Sequence, residues 1–272
     1  MDPNELMKCE KVAIGLAFEA GRMMLNASGR IKDIQQKAGF ADLVTETDKA
    51  VEEYIFGQLK KHFPNHKFIG EETASKVELT DDLTWLVDPI DGTMNFVHQF
   101  PYFCCSIGLL QNKQPIVGVI YGPFIDKLYT AKKGFGAFCN GKPIHVKNCQ
   151  AINESLIITE LGSCRDNQRR EAIFKNLEAI GWGAHGVRAI GSAALNFCSV
   201  ASGQTEGYYE FGIHSWDMAA GVIILREAGG IVIDTEGGPF DICSRRVIGA
   251  CNDKIANELS EKLVVHLKLE RD

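Results

Sequence analysis

The chain has 272 residues, 45% of them hydrophobic, and its 29 basic against 35 acidic side chains leave a formal charge of -6. That length and apolar content can bury one large domain or two intimate subdomains, which excludes a disordered or fibrous chain. The acidic balance and the lack of any basic block exclude a general nucleic-acid backbone binder, so an anionic substrate would need local help, most economically from a metal ion.

Met1-Asp2-Pro3-Asn4-Glu5-Leu6 is polar and acidic where a secretory leader would be basic and then apolar. No segment approaches the roughly 20 apolar residues of a membrane span, so no membrane partner is expected. The nine cysteines contain no CxxC pair or zinc-like spacing and read as reduced core thiols of a cytoplasmic protein. Asn26-Ala27-Ser28 and Asn153-Glu154-Ser155 match the glycosylation pattern, but without a leader they read as chance.

Residues 5–26 place Leu6, Val12, Ile14, Ala17 and Met24 at helical spacing among charges and predict an amphipathic helix ending by Gly29. A second helix is expected over 46–62, with Thr45 as cap and Asp48 in a box-like position three residues on. Short apolar or β-branched runs at 67–70, 84–87, 103–110, 116–121 and 127–131 predict strands, and Asn140-Gly141 a tight hairpin turn. Beyond Asn153 strands are expected at 156–160, 185–188, 207–210, 231–234 and 247–250, and helices at 167–180, 192–202, 216–228 and 253–263. There is no internal repeat and no low-complexity linker.

The first half thus reads as helices with a largely antiparallel meander and the second as α/β, together an α+β layered sandwich. The expected units are an α+β subdomain over 1–150, carrying most metal ligands, and an α/β subdomain over 151–272 that completes the site, with a boundary near 146–153.

Chemistry concentrates in Asp88-Pro89-Ile90-Asp91-Gly92-Thr93, where a buried strand delivers two aspartates three residues apart and a proline stiffens the turn between them. Two ionised carboxylates this close repel each other and require a cation. Oxygen ligands without His or Cys favour a hard ion such as Mg²⁺. Gly92 permits a tight turn, and Thr93 opens a short helix whose N–H groups would favour a phosphate.

Each acid also has a plainer reading. Asp88 and Asp91 could form an Asx turn, Glu71 could be a solvated turn acid, and Asp48 a capping acid. Asp217 could complement the dipole of a helix capped by Ser215. Gly134-Phe135-Gly136 is no dinucleotide fingerprint, because Cys139 stands where glycine is wanted. The histidines form no HExxH, and Ser163 beside Cys164 has no identifiable base to make it a nucleophile.

Asp88-Pro89-Ile90-Asp91-Gly92-Thr93-Met94-Asn95-Phe96 resembles the first signature of the inositol monophosphatase family, and Trp216-Asp217-Met218-Ala219-Ala220-Gly221 its second. Gly70-Glu71-Glu72 falls at the family's metal-binding glutamate, and Asp42-Leu43-Val44-Thr45-Glu46-Thr47-Asp48 resembles the stretch ahead of its second helix. Thr159-Glu160-Leu161-Gly162-Ser163 and Tyr208-Tyr209-Glu210-Phe211-Gly212-Ile213-His214 resemble the animal members.

The resemblance implies a layered α/β/α/β/α sandwich of the sugar-phosphatase type shared with fructose bisphosphatases. It implies Mg²⁺-dependent hydrolysis of myo-inositol monophosphates by metal-activated water, extending to other small sugar or nucleotide monophosphates. One Mg²⁺ would be held by Glu71, Asp88 and the carbonyl of Ile90, and a second by Asp88, Asp91 and Asp217. A third, mostly hydrated, would lie near Glu71. Thr93, Asp48 and Glu71 are the implied catalytic residues, with Thr93 and Asp48 orienting the attacking water. Phosphate would lie on the N–H groups of Gly92 and Thr93, and the alcohol against Asp91, Ser163, Gly191, Ser192, Ala193, Glu210 and Asp217. Inhibition by Li⁺ and assembly as a homodimer are implied as well. The segment 73–84 is shorter than in mammalian members, and Lys37 falls in a loop used near the site. The alternatives are a relative acting on fructose 1,6-bisphosphate or a 3′-phosphorylated nucleotide, and a non-catalytic scaffold.

Overall fold

The computed structural model of the chain describes residues 1–29, 34–73 and 78–272. Helix α1 (Pro3–Ala27) starts at Asp2, whose carboxylate accepts the N–H groups of Asn4 and Glu5. It buries Leu6, Cys9, Ala13, Leu16, Ala20 and Met24, with Val12 and Ile14 half-buried at the edge of that face. Strands β1 (Ile34–Gly39) and β2 (Asp42–Thr45) pair antiparallel, and Thr45 then caps α2 (Glu46–His62) through the expected capping box with Asp48. This hairpin was not expected, and it puts Lys37 on a strand rather than in a loop.

Strands β3 (Lys67–Gly70) and β4 (Thr84–Asp91) follow, then the short α3 (Thr93–His98). The meander continues through β5 (Cys104–Gln111), β6 (Gln114–Gly122), β7 (Lys127–Lys132), β8 (Ala137–Cys139) and β9 (Lys142–Ile144). Asn140 and Gly141 between the last two have φ of 48° and 74°, the positive pair a primed turn requires. Among the described residues these seven strands form one sheet in sequence order, parallel between β3 and β4 and antiparallel elsewhere.

After a short 3-10 turn come β10 (Leu156–Ile158), α4 (Asn167–Gly181), β11 (Gly186–Arg188), α5 (Ala193–Ala201) and β12 (Gly207–Phe211). Helix α6 (Ser215–Glu227), β13 (Ile231–Ile233), β14 (Arg246–Ala250) and α7 (Asp253–Lys262) complete the order. The second sheet runs β11-β10-β12-β14-β13.

Strand alternation sorts the side chains into layers. Trp85, Val87, Cys105, Ile107, Val117 and Val119 join the core under α1 and α2. Leu86, Cys104, Leu110 and Ile120 turn the other way and pack with Phe197 of α5 and Met218, Ala219 and Ile223 of α6. The second sheet gives Ile158, Tyr208 and Val247 to that same middle core, and Ile157, Tyr209, Phe211 and Ile248 to a third core under α4 and α7. The result is the α/β/α/β/α stack, with α5 and α6 as the central layer.

Two glycines let α6 lie directly on the first sheet. A Cβ on Gly108 would fall 2.6 Å from the Ala219 Cβ, and one on Gly118 would fall 2.6 Å from the Ala220 carbonyl oxygen. No helix among the described residues is long and apolar enough to cross a membrane. Residues 74–77 of the short segment lie outside the described residues.

Candidate active site

In a regular strand, residues three apart point to opposite faces. Asp88 pairs with Ser106 and Asp91 with Cys104, so three steps on β4 oppose two on β5. That extra residue is a bulge at Pro89, which has no N–H to give to the ladder. It turns both aspartates to the α5/α6 side while Ile90 joins the core under α1 and α2. Asp88 Oδ1 accepts the Ile90 N–H at 3.0 Å, so the Asx turn is real and serves to hold the bulge.

Asp91 meets the start of α5. Its carboxylate accepts the N–H groups of Ala193 (3.2 Å) and Ala194 (2.8 Å), the Ser192 hydroxyl, and the Cys104 thiol at 3.6 Å. Asp217 occupies the first turn of α6, where its Oδ2 accepts the His214 N–H at 2.8 Å. The residue that caps α6 is therefore His214, with Ser215 already inside the helix, which corrects the expectation of a Ser215 cap.

Glu71 follows β3, whose parallel register with β4 brings Gly70 opposite Val87 and the glutamate beside Asp88. The Lys37 ammonium bridges Glu71 and Glu72, 2.7 Å from each. Asp48 is fully buried behind Thr93. It accepts the Thr45 N–H (2.9 Å) and hydroxyl (2.5 Å) and faces the Thr93 hydroxyl at 3.1 Å, which also lies 2.9 Å from the Ile90 carbonyl oxygen.

These groups surround a cleft of about 1180 Å³, which Glu71, Asp88, Asp91, Gly92, Thr93, Glu210 and Asp217 all line. Ser163, Gly191, Ser192 and Ala193 also line it, as does Ile90, whereas Asp48 does not and lies against the cleft residue Thr93. The hydroxyl of Ser192 and the N–H of Ala193 are both engaged by Asp91. Glu210 takes the Tyr208 hydroxyl on Oε2.

Two residues without an assigned role from sequence hold the loop at 190–191. Glu160 Oε1 accepts the N–H groups of Ile190 and Gly191, each at 2.8 Å, and the Asn196 amide at 2.9 Å. Asn95 donates to the carbonyl oxygens of Tyr102 (2.7 Å) and Ile190 (2.8 Å). Gly92, at φ 92°, and Gly191, at φ 87°, allow the two loops to touch, since a Cβ on Gly92 would sit 2.8 Å from the Gly191 carbonyl oxygen. Glu160 and Asn95 both stand inside the motif strings, which was the available signal for them.

The electrostatics are those of stacked anions in a low-dielectric cleft. Burial, then the charges of Glu71, Asp91 and Asp217, push the Asp88 carboxyl far above the usual carboxylate range. Asp217 is pushed the same way by burial and by Glu71 and Asp91. Burial raises Glu71 to about 7 against the pull of Lys37. Asp91 is raised by burial despite its donors, and Glu210 by burial and the charge of Glu160.

Among the described residues, Asp88, Asp91, Asp217 and Glu210 pair with no protein cation. No three His, Cys, Asp or Glu side chains there are arranged to hold an ion as they stand. Glu71 is drawn onto Lys37, Asp91 onto α5, and Asp217 onto the His214 N–H, so these carboxylates rest on protein donors. An all-oxygen set of mutually repelling carboxylates fits a hard divalent cation such as Mg²⁺.

The model of the Inositol monophosphatase family matches residues 5–268. The chain is 44% identical to rat (Rattus norvegicus) inositol monophosphatase 1 over 269 residues, 97% of each protein. Among solved structures it resembles the extragenic suppressor protein SuhB of Bartonella henselae, with a TM-score of 0.87 and 33% identity over 96% of this chain and 100% of that one. It also resembles the inositol monophosphatase of Anabaena (Nostoc) sp. PCC 7120, with a TM-score of 0.83 and 36% identity over 97% and 98% of the two chains.

Proposed function

The chain belongs to the inositol monophosphatase family, and on that premise we propose that it is a Mg²⁺-dependent phosphoric monoester hydrolase that cleaves myo-inositol monophosphates to inositol and phosphate. The observation that carries this reading is the bulge at Pro89, which turns Asp88 and Asp91 into one cleft with Glu71 and Asp217. Asp88 would bridge two ions, one completed by Glu71 and the Ile90 carbonyl and the other by Asp91 and Asp217, with a third beside Glu71. Bound there, Mg²⁺ supplies the charge that lowers the pKa of a water and offsets the charge of the phosphoryl group.

The chain's own groups do the rest. With the Ile90 carbonyl turned to an ion, the Thr93 hydroxyl would donate its hydrogen bond to the Asp48 carboxylate, which would leave Thr93 Oγ1 free to accept one from the attacking water. Asp48 thus acts through Thr93. Helix α3 opens at Gly92 with no side-chain cap, which supports phosphate on the N–H groups of Gly92 and Thr93. Glu210 keeps Oε1 without a protein donor among the described residues, ready to accept a hydroxyl of the polyol.

Arg165 and Arg169 also line the cleft, but Arg165 is turned onto the carbonyls of Leu161 and Gly162 and Arg169 lies against Asp166. That engagement favours a monophosphate over a substrate with a second phosphate. Li⁺ inhibition and a homodimer are parts of the same proposal that rest on the family resemblance alone, and a cytoplasmic location is a further part that rests on the nine cysteines being read as reduced thiols. The test is phosphate release from inositol 1-phosphate, galactose 1-phosphate, 2′-AMP and fructose 1,6-bisphosphate, with Mg²⁺, with EDTA and with added Li⁺. Release that survives EDTA, or that is unchanged in Asp88→Asn and Asp217→Asn, would sink the metal-enzyme reading.

A further inference from the structure

The start of α6 is held by a residue 58 positions away in the chain. Asp272 Oδ2 accepts the Ser215 N–H at 2.7 Å, and its Oδ1 lies 2.6 Å from His214 Nδ1. The other ring nitrogen, Nε2, is 2.9 Å from Arg245 Nη2. A guanidinium can only donate, so Nε2 accepts, and Nδ1 carries the proton that His214 gives to Asp272. Arg245 is itself tied to the Gly212 carbonyl at 3.0 Å, and the Trp216 ring stacks on the imidazole with centroids 4.5 Å apart and planes 7° apart. His214 is therefore clamped on three sides, and its own N–H holds the Asp217 carboxylate.

Asp272 is brought there by a strap without regular secondary structure. Buried Asn176 of α4 accepts the N–H groups of Val264 and Val265 at 2.8 and 2.9 Å and donates to the Val265 carbonyl at 2.8 Å. Arg246 donates to the Leu267 carbonyl, and the Asp272 N–H to the Cys243 carbonyl at 3.1 Å. A segment with no ladder of its own is fastened at successive points so that its carboxylate reaches one helix start.

We propose that Asp272 is a positioning residue for the metal site: it caps α6 from outside and, through His214, fixes the Asp217 carboxylate toward Asp88 and Asp91. The inference rests on reading Asp217 as a Mg²⁺ ligand. Partners of this kind, which touch a ligand's support rather than the ion, commonly govern about 10- to 100-fold in metal affinity.

The test measures Mg²⁺ binding to the full chain by titration calorimetry without substrate, alongside Mg²⁺ activation curves for phosphate release. Asp272→Ala should weaken Mg²⁺ binding about tenfold, while most of the maximal rate returns at saturating Mg²⁺. Asp272→Asn should fall between it and the parent, because one amide oxygen can still accept the Ser215 N–H but brings no charge. Arg22→Ala, which removes an ion pair with Glu19 on α1, should leave Mg²⁺ binding unchanged. Unchanged Mg²⁺ affinity in Asp272→Ala, whatever its melting temperature, overturns the proposal. Should that variant fail to fold, unchanged affinity in Asp272→Asn does so. A parent protein that binds Mg²⁺ but leaves inositol 1-phosphate intact refutes the substrate reading and leaves this comparison standing.

Discussion

Adding a single methyl group at Gly108 tests whether the contact between α6 and the first sheet sets the metal site. The new Cβ would lie 2.6 Å from the Ala219 Cβ, 3.0 Å from the Ala220 nitrogen and 3.1 Å from the Ala219 carbonyl carbon. Carbon atoms rest at about 3.5–4.0 Å, so α6 must retreat by roughly 1 Å. Overpacking of this kind costs about 1–3 kcal/mol, which for a chain of this size corresponds to a melting temperature lower by roughly 2–12 °C. The displaced turn begins two residues after Asp217, while Gly108 pairs with Leu86 on the strand that carries Asp88. The separation of the two aspartates therefore changes with it, and misplacement by about 1 Å can cost on the order of 100-fold in rate.

Gly108→Ala should thus melt lower in EDTA and need more Mg²⁺ for half-maximal phosphate release. Gly57→Ala is the control, since Gly57 is exposed within α2 and a Cβ there meets nothing within 4 Å. It should stabilise the protein by about 0.5–1 kcal/mol and leave the rate alone. A Gly108→Ala protein with the parent's melting temperature and kcat/KM would refute the argument that these glycines seat α6.

On the proposed relay from Asp48 through the Thr93 hydroxyl to the water, Thr93→Ala should lower kcat about 100-fold or more with little change in KM; Thr93→Ser should restore most of the rate, and equal rates for the two variants would exclude the relay. Asn95→Ala removes the amide that donates to the Tyr102 and Ile190 carbonyl oxygens and so loosens the loop at 190–191, at about 1–3 kcal/mol for each acceptor left unpaired. Initial rates on inositol 1-phosphate should then show a larger rise in KM than fall in kcat. Burial raises Glu71 from 4.5 to about 7 despite Lys37. A carboxyl raised on folding contributes stability below its unfolded pKa and loses it as pH climbs through the folded value. Melting temperature in EDTA should therefore carry a downward contribution between about pH 4.5 and 7, with Asp88 and Asp217 acting in the same direction, and Mg²⁺ should remove it. Identical pH profiles with and without Mg²⁺ would contradict this.

The features legible along the chain were local ones. The helix start at Thr45, the positive-φ pair Asn140-Gly141 and the burial of β4 follow from neighbouring residues, because caps, turns and alternation act over a few positions, whereas the Asp2 cap starts the first helix earlier than the expected residue 5. The aspartates of the Pro89 turn could be read as metal ligands for the same reason: their repulsion is a property of close spacing. The hairpin of β1 and β2 was not legible, since Gln35, Gln36 and Lys37 show no apolar alternation and the pairing is supplied by β2.

Tertiary structure decided which face the aspartates share, through a bulge defined only against β5. It also placed Asp48 behind Thr93, Glu160 and Asn95 on the loop at 190–191, and Asp272 on α6, across sequence separations of 45, 30, 95 and 58. Such bonds depend on the layering of two sheets around α5 and α6, and no periodicity along the chain encodes which distant residue will meet a given helix start.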